Sequence, residues 1–134
     1  MRRFERLNQI LNNSCCKGVT MAQCHALLEI EELGEAITIQ LAKNLLLDKS
    51  TLSRTVDNLV KRGLVERKQH PTDRRYTTLF LTDKGVRICD EINRANDDTY
   101  EKILSELPSN EIQKIMENFE QLVKILNNSN RNAN

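Results

Sequence analysis

The sequence predicts a mainly α fold carrying one small β-hairpin, and three observations lead there. Apolar residues recur at helical spacing in six separate segments. Between Leu64 and Thr82 the period drops to two, as in a half-buried strand pair. Hydrophobic content is 39%, yet aromatics reach only 4% and Trp is absent, so the core must be aliphatic. A chain of 134 residues can bury one real core, and a single domain over 1–134 is expected.

Residues 2–16 read as a helix with Phe4, Leu7, Ile10 and Leu11 on one side. After "CKG", Thr20 and Gln23 have the spacing of a capping box and open a helix to about Leu33, with Met21, Cys24, Leu27, Leu28 and Ile30 inward. Gly34 closes it. Thr38 is expected to cap the next helix, "TIQLAKNLL", with Ile39, Ala42, Leu45 and Leu46 inward.

"DKSTLSRTVDNLVKRG" then supplies a fourth helix whose apolar set is Leu52, Val56, Leu59 and Val60, ended by Gly63. Its other face carries Lys49, Ser50, Ser53, Arg54, Asp57 and Lys61. Two helices joined this tightly, the second polar toward its N-terminus, describe a helix-turn-helix. "LVERKQ" and "YTTLFLT" follow as strands around the loop "HPTDRR".

Thr82 is expected to cap a helix over about Asp83–Leu107, with Val86, Cys89, Ile92 and Ile103 on one side and Pro108 marking its end. Ser109 or Asn110 would cap the last helix. There Ile112, Ile115, Met116, Phe119, Leu122, Val123 and Leu126 form a continuous apolar stripe, followed by a polar tail at 128–134 expected to fray. The stripe reads either as ordinary core or as a dimer seam, and the seam is favoured because a chain this size cannot cover every apolar face by itself.

Charge is unevenly spread. Residues 38–85 hold ten Lys/Arg against five Asp/Glu, while the remainder holds ten against fourteen. A basic middle between acidic arms implies an anionic partner that touches the middle alone. No run approaches a membrane span, and "MRRFERLNQILNN" lacks a signal-peptide core, so a cytoplasmic location without membrane contact is expected. Enzyme chemistry finds no footing. The two histidines are far apart, no nucleophile or metal-ligand pattern appears, and no glycine-rich phosphate loop exists. No cofactor and no metal is expected.

A helix-turn-helix running directly into a hairpin is a winged helix. The chain resembles the MarR family of bacterial transcription regulators over essentially its whole length. "GVTMAQCHALLEI", "DKSTLSRTVDNLVKRGLVERKQHPTDRRYTTLFLTDKG" and "LPSNEIQKIMENFEQL" carry the resemblance. It implies a homodimer, with 1–19 and 86–127 as dimerisation helices and 20–85 as the winged helix-turn-helix lobe. The stretch before "VTMAQC" is short, so an abbreviated first dimer helix is expected.

The residues themselves support the same reading. An α-helix fits the major groove of double-stranded DNA, where base edges present distinguishable donors and acceptors. Lys49, Ser50, Thr51, Ser53, Arg54 and Thr55 occupy the turns that would enter first, and the positive helix N-terminus would attract phosphate. Arg54 can grip guanine or bridge phosphates, whereas Thr51 and Thr55 can equally spend their hydroxyls on local capping or packing. A hairpin tip reaches the neighbouring minor groove, which admits an extended guanidinium. The family resemblance implies that Asp73 aims Arg75 there while Arg74 meets backbone phosphate. Lys49, Lys68 and His70 would add phosphate contacts, and a symmetric dimer would take a pseudo-palindromic operator.

The resemblance also implies release by a small-molecule effector, thiol oxidation or a metal, usually from a repressor. A ligand pocket would be lined by residues 10–30 and the start of the helix after Thr82. Cys15 and Cys16 are the candidate thiol sensor, since neighbours about 100° apart cannot both face one core and Lys17 is at hand to favour a thiolate. Cys24 and Cys89 fall on apolar faces and read as core. Cys15, Cys16, Cys24 and His25 match no common zinc spacing. The alternative to a regulator is a winged-helix protein-protein adaptor, which the polar fourth helix and the Asp-Arg-Arg tip argue against.

Overall fold

The computed structural model of the chain describes residues 2, 3, 6, 7 and 18–132, with side chains as far as Ser129. In order come α1 (Met21–Leu33), β1 (Ala36–Ile37), α2 (Thr38–Asn44), α3 (Lys49–Lys61), β2 (Val65–Gln69), β3 (Thr77–Leu81), α4 (Asp83–Ser105) and α5 (Ser109–Asn132). Within the helix expected over 2–16, Arg2, Arg3, Arg6 and Leu7 are helical. Phe4, Ile10, Leu11, Cys15 and Cys16 lie outside the described residues. Two compact units result, one ending at Asn96 and one starting at Asp97.

The first unit opens on the capping box. Thr20 Oγ1 accepts from the Gln23 amide at 3.3 Å, and Gln23 Oε1 accepts from the Thr20 amide at 3.1 Å, so two end donors are satisfied reciprocally. Beyond Gly34 the chain departs from the expected helix-to-helix connection. Ala36 and Ile37 form a short strand on β3, pairing Ala36 with Leu79 and Ile37 with Thr78. Among the described residues the sheet is therefore three-stranded, in the order β1-β3-β2. Thr38 is the first residue of α2 and not its cap; its hydroxyl donates to the Thr77 carbonyl at 3.4 Å. A two-residue strand is too short to leave a period.

α2 also stops early, at Asn44. Leu46 turns into left-handed backbone, φ 53°, and stands 69% exposed, while Ile39 is 64% exposed. Neither points inward as its spacing suggested. The buried face of α2 centres on Leu41, with Ala42 and Leu45 beside it. Ending the helix before Leu46 removes that residue from the face.

α3 keeps its expected stripe, with Leu52, Val56 and Leu59 buried. Gly63, at φ 66°, supplies the left-handed residue that turns the chain from α3 toward β2. β2 and β3 then pair antiparallel from Val65↔Leu81 to Gln69↔Thr77. Thr82 caps α4 as expected: its hydroxyl accepts from the Gly85 amide at 3.0 Å and donates to the Gly63 carbonyl at 2.6 Å. A Cβ at Gly85 would run into the Leu64 carbonyl oxygen, so the first turn of α4 sits directly on backbone.

Leu27, Ile30, Leu41, Leu52, Leu59, Leu64 and Leu79 are fully buried, and Cys89 and Ile92 from α4 join them. Each large aliphatic side chain contributes roughly 1.5–3 kcal/mol relative to exposure. This core fixes α3 and the β2–β3 hairpin with their polar faces outward.

In the second unit α5 continues through Asn132, so residues 128–132 are helical where a frayed tail was expected. Ser109 and Asn110 lie in its first turn, preceded by Pro108, and do not cap it. Its apolar stripe is uncovered: Phe119, Leu122, Val123 and Leu126 are 50%, 44%, 40% and 54% exposed. No helix among the described residues is long and apolar enough to cross a membrane.

Candidate nucleic-acid interface

The first turn of α3 is organised by Asp48. Its Oδ1 accepts from the Ser50 amide at 3.0 Å, the Ser50 hydroxyl at 2.5 Å and the Thr51 amide at 2.9 Å. Its Oδ2 accepts from the Thr51 hydroxyl at 2.5 Å. An N-cap carboxylate is favoured here because it meets otherwise orphaned amides and the positive end of the helix. These bonds, led by those from the Ser50 and Thr51 hydroxyls, hold its pKa far below the ordinary carboxylate range. An anion thus already occupies the end of α3 that was expected to attract phosphate.

Beyond the cap, Lys49, Ser50, Ser53 and Arg54 are exposed on one polar surface, and Thr51 is half-buried. Arg54 is exposed and leans back along the helix, its Nε donating to the Ser50 carbonyl at 3.4 Å. Thr55 leaves the set. It is 8% exposed, and its hydroxyl donates to the Thr51 carbonyl at 2.9 Å. A threonine inside a helix often back-bonds to the main-chain carbonyl four residues earlier, and here the core side claims it.

The loop between β2 and β3 is built around Asp73. Arg75 donates to it twice, Nε to Oδ1 at 3.0 Å and Nη2 to Oδ2 at 2.8 Å, and the Arg75 amide adds a third bond at 3.1 Å. The paired fork holds the guanidinium in one plane, with 83% of the side chain still exposed. Bonding from Arg75 lowers the Asp73 pKa, and Asp73 raises that of Arg75. His70 Nδ1 accepts from the Asp73 amide at 3.3 Å, so His70 shapes the loop from inside. Arg74 is exposed, and its carbonyl accepts from Gln69 Nε2 at 3.3 Å. Lys68 lies 3.6 Å from Glu66 and 5.0 Å from the Phe80 ring centroid, so its charge is already partly answered.

One further bond joins helix to hairpin. Arg67 Nη2 on β2 donates to Asp57 Oδ1 on α3 at 2.6 Å. Sequence reading placed Asp57 on the polar face of its helix and Arg67 in a strand without pairing them, since only the fold brings them together.

The family model for MarR matches residues 19–77, from just before α1 to the first residue of β3. The multiple antibiotic resistance protein MarR of Escherichia coli is 30% identical over 95 residues, covering 70% of this chain and 66% of that protein. The chain belongs to the MarR family. The Salmonella typhimurium MarR protein is 28% identical over 110 residues, covering 81% of this chain and 76% of that protein. A crystal structure of an E. coli MarR cysteine-to-serine variant complexed with operator DNA matches with a TM-score of 0.75 and 25% identity. It covers 90% of this chain and 91% of that one. The mainly helical winged fold is thus shared, and the chain is a MarR-family transcription regulator, a class that does not comprise enzymes.

Within this MarR-family chain the thiols divide. Cys24 and Cys89 are buried, and desolvation, with Glu31 and Asp90 nearby, pushes the Cys89 thiol up to about 12. Such a thiol stays protonated and unreactive near neutrality. Cys15 and Cys16, the candidate sensor, lie outside the described residues, as does part of the expected pocket lining. No group of three His, Cys, Asp or Glu side chains among the described residues is placed to hold a metal. A contact that sequence reading missed joins α1 to α3: Arg62 Nη1 donates to Gln23 Oε1 at 3.0 Å, so the capping glutamine serves both elements. Only the capping spacing was visible, because the 39-residue separation leaves no local signal.

Proposed function

We propose that the protein is a homodimeric, sequence-specific double-stranded DNA-binding regulator, acting as a repressor released by a small ligand or by thiol chemistry. Residues 20–85 form the DNA-binding lobe, and the helices over 1–19 and from 86 onward form the dimer arms. α3 enters the major groove with Lys49, Ser50, Thr51, Ser53 and Arg54. The β2–β3 tip enters the minor groove with Arg75, while Arg74 meets phosphate. The observation that carries this reading is the forked Asp73–Arg75 pair, which holds an exposed guanidinium rigidly at the tip of a hairpin already bonded to α3.

Two copies related by a two-fold axis would present two such lobes about one helical turn, ~34 Å, apart on a pseudo-palindrome. The uncovered stripe of α5 supports the dimer, since exposed apolar surface of this kind is normally a contact. If thiols trigger release, the buried positions of Cys24 and Cys89 direct attention to Cys15 and Cys16. The test is fluorescence anisotropy of the reduced protein on DNA from upstream of its own gene, across a salt series and again after mild oxidation. A steep fall of affinity with salt supports phosphate neutralisation; a flat response would favour the adaptor.

A further inference from the structure

The hydroxyls of Ser50 and Thr51 each own one proton, and both protons point at Asp48. At 2.5 Å these are short, charge-assisted bonds, stronger than a neutral hydroxyl would make with a base edge. What the two oxygens can offer an incoming groove is therefore lone pairs only. A phosphate brought to these two side chains would meet two acceptors and a carboxylate charge, so neither hydroxyl serves as a phosphate donor.

Base edges are not equivalent toward such a surface. In the major groove adenine and cytosine present amino donors, whereas guanine presents two acceptors and thymine one. We propose that Asp48 is a positioning residue for DNA specificity. By holding both hydroxyl protons, it makes Ser50 and Thr51 acceptors that select adenine or cytosine over guanine or thymine on the strand they face. The inference rests on reading α3 as the helix that enters the major groove. Arg54 lies exposed one turn further on, so any guanine it reads is a separate position in the half-site.

Asp48→Asn isolates this effect. Asn caps helices as well as Asp does, so α3 is kept. Its amide nitrogen donates where the carboxylate oxygen accepted, which returns at least one hydroxyl proton to the groove. Wild type and variant are each put through selection from a random double-stranded DNA library. Competition anisotropy on the recovered sites follows, with melting curves as the control for fold. Wild type is expected to prefer adenine or cytosine about tenfold at one position per half-site. Asp48→Asn should lose that preference there and keep the rest of the profile. An unchanged profile in Asp48→Asn, or guanine or thymine preferred by wild type at the position that changes, overturns the proposal. Wild type that binds DNA with no base preference at all overturns the reading of α3 as well. Should Asp48→Asn melt early, Ser50→Ala with Thr51→Val removes the acceptors and leaves the cap carboxylate in place. Loss of the same preference then supports the proposal, and its retention refutes it.

Discussion

Arg67 on β2 donates to Asp57 on α3 across 2.6 Å, the one salt bridge among the described residues that ties the hairpin to that helix. Both side chains are substantially exposed, so the pair adds at most about 1 kcal/mol to stability. Its consequence lies in geometry. Asp57→Ala should lower the melting temperature by no more than ~5 °C, yet weaken operator binding several-fold, because the hairpin no longer holds its angle to α3. Melting curves and anisotropy on one preparation separate the two; unchanged DNA affinity would mean that the bridge does not orient the hairpin.

Arg75→Ala should weaken DNA binding at least tenfold with the fold intact, and Asp73→Asn should reproduce much of that loss by releasing the guanidinium. The pH dependence follows from the sign of the shift. A carboxylate with a depressed folded pKa contributes above its unfolded value, and that contribution is lost as pH falls through the depressed one. Asp73 is such a group, lowered first by its bond to the Arg75 side chain. The ratio of wild-type to Asp73→Asn affinity should therefore stay constant from about pH 8 to pH 5. A ratio that collapses well above pH 5 would contradict the pairing.

Gly85→Ala should be severely destabilising despite its small size. The added carbon meets the Leu64 carbonyl oxygen, and backbone cannot swing aside as a flexible side chain would. Overpacking of this kind costs about 1–3 kcal/mol or more. Thermal denaturation reads it directly, and a melting temperature within 1 °C of wild type, on the order of 0.3 kcal/mol, would show that α4 can shift off the Leu64 backbone.

Alkylation of the native protein near neutral pH should spare Cys24 and Cys89 while denaturant exposes both. Cys89, pushed up to about 12, has almost no thiolate to offer. Peptide mass mapping after a short iodoacetamide pulse gives the order of reaction. Fast labelling of Cys89 would mean that α4 opens locally.

Phe119→Glu should convert a dimer to a monomer without unfolding either unit. Phe119 is half exposed in the single chain, so a charge there costs little until a second copy must cover it. Light scattering after size exclusion measures the mass, and a persistent dimer would place the seam elsewhere.

Much of the candidate site was legible because its devices are local. Thr20 with Gln23 and Thr82 with Gly85 are three residues apart and make the capping bonds their spacing suggests, while Asp73 and Arg75, two apart, make the bond that the family resemblance implied. The polar surface of α3 was visible for the same reason, as the complement of its apolar stripe. Errors gathered where the pattern was short or ended. β1 spans two residues and α2 breaks before Leu46; for Thr55, which the sequence left between the groove and local packing, the bond to the Thr51 carbonyl takes the local course.

By itself, then, the sequence determined most of the helices, the two hairpin strands and the basic middle of the chain, while the pairing of Asp73 with Arg75 came from the family resemblance. Contacts within one turn or one loop need little chain entropy to form, and they recur with fixed spacing. Tertiary structure alone decided that Asp57 meets Arg67, that Arg62 shares Gln23 with the α1 cap, and that Gly85 has no room for a methyl group. Those outcomes depend on how elements ten to thirty-nine residues apart pack over one aliphatic core, and no local period records that.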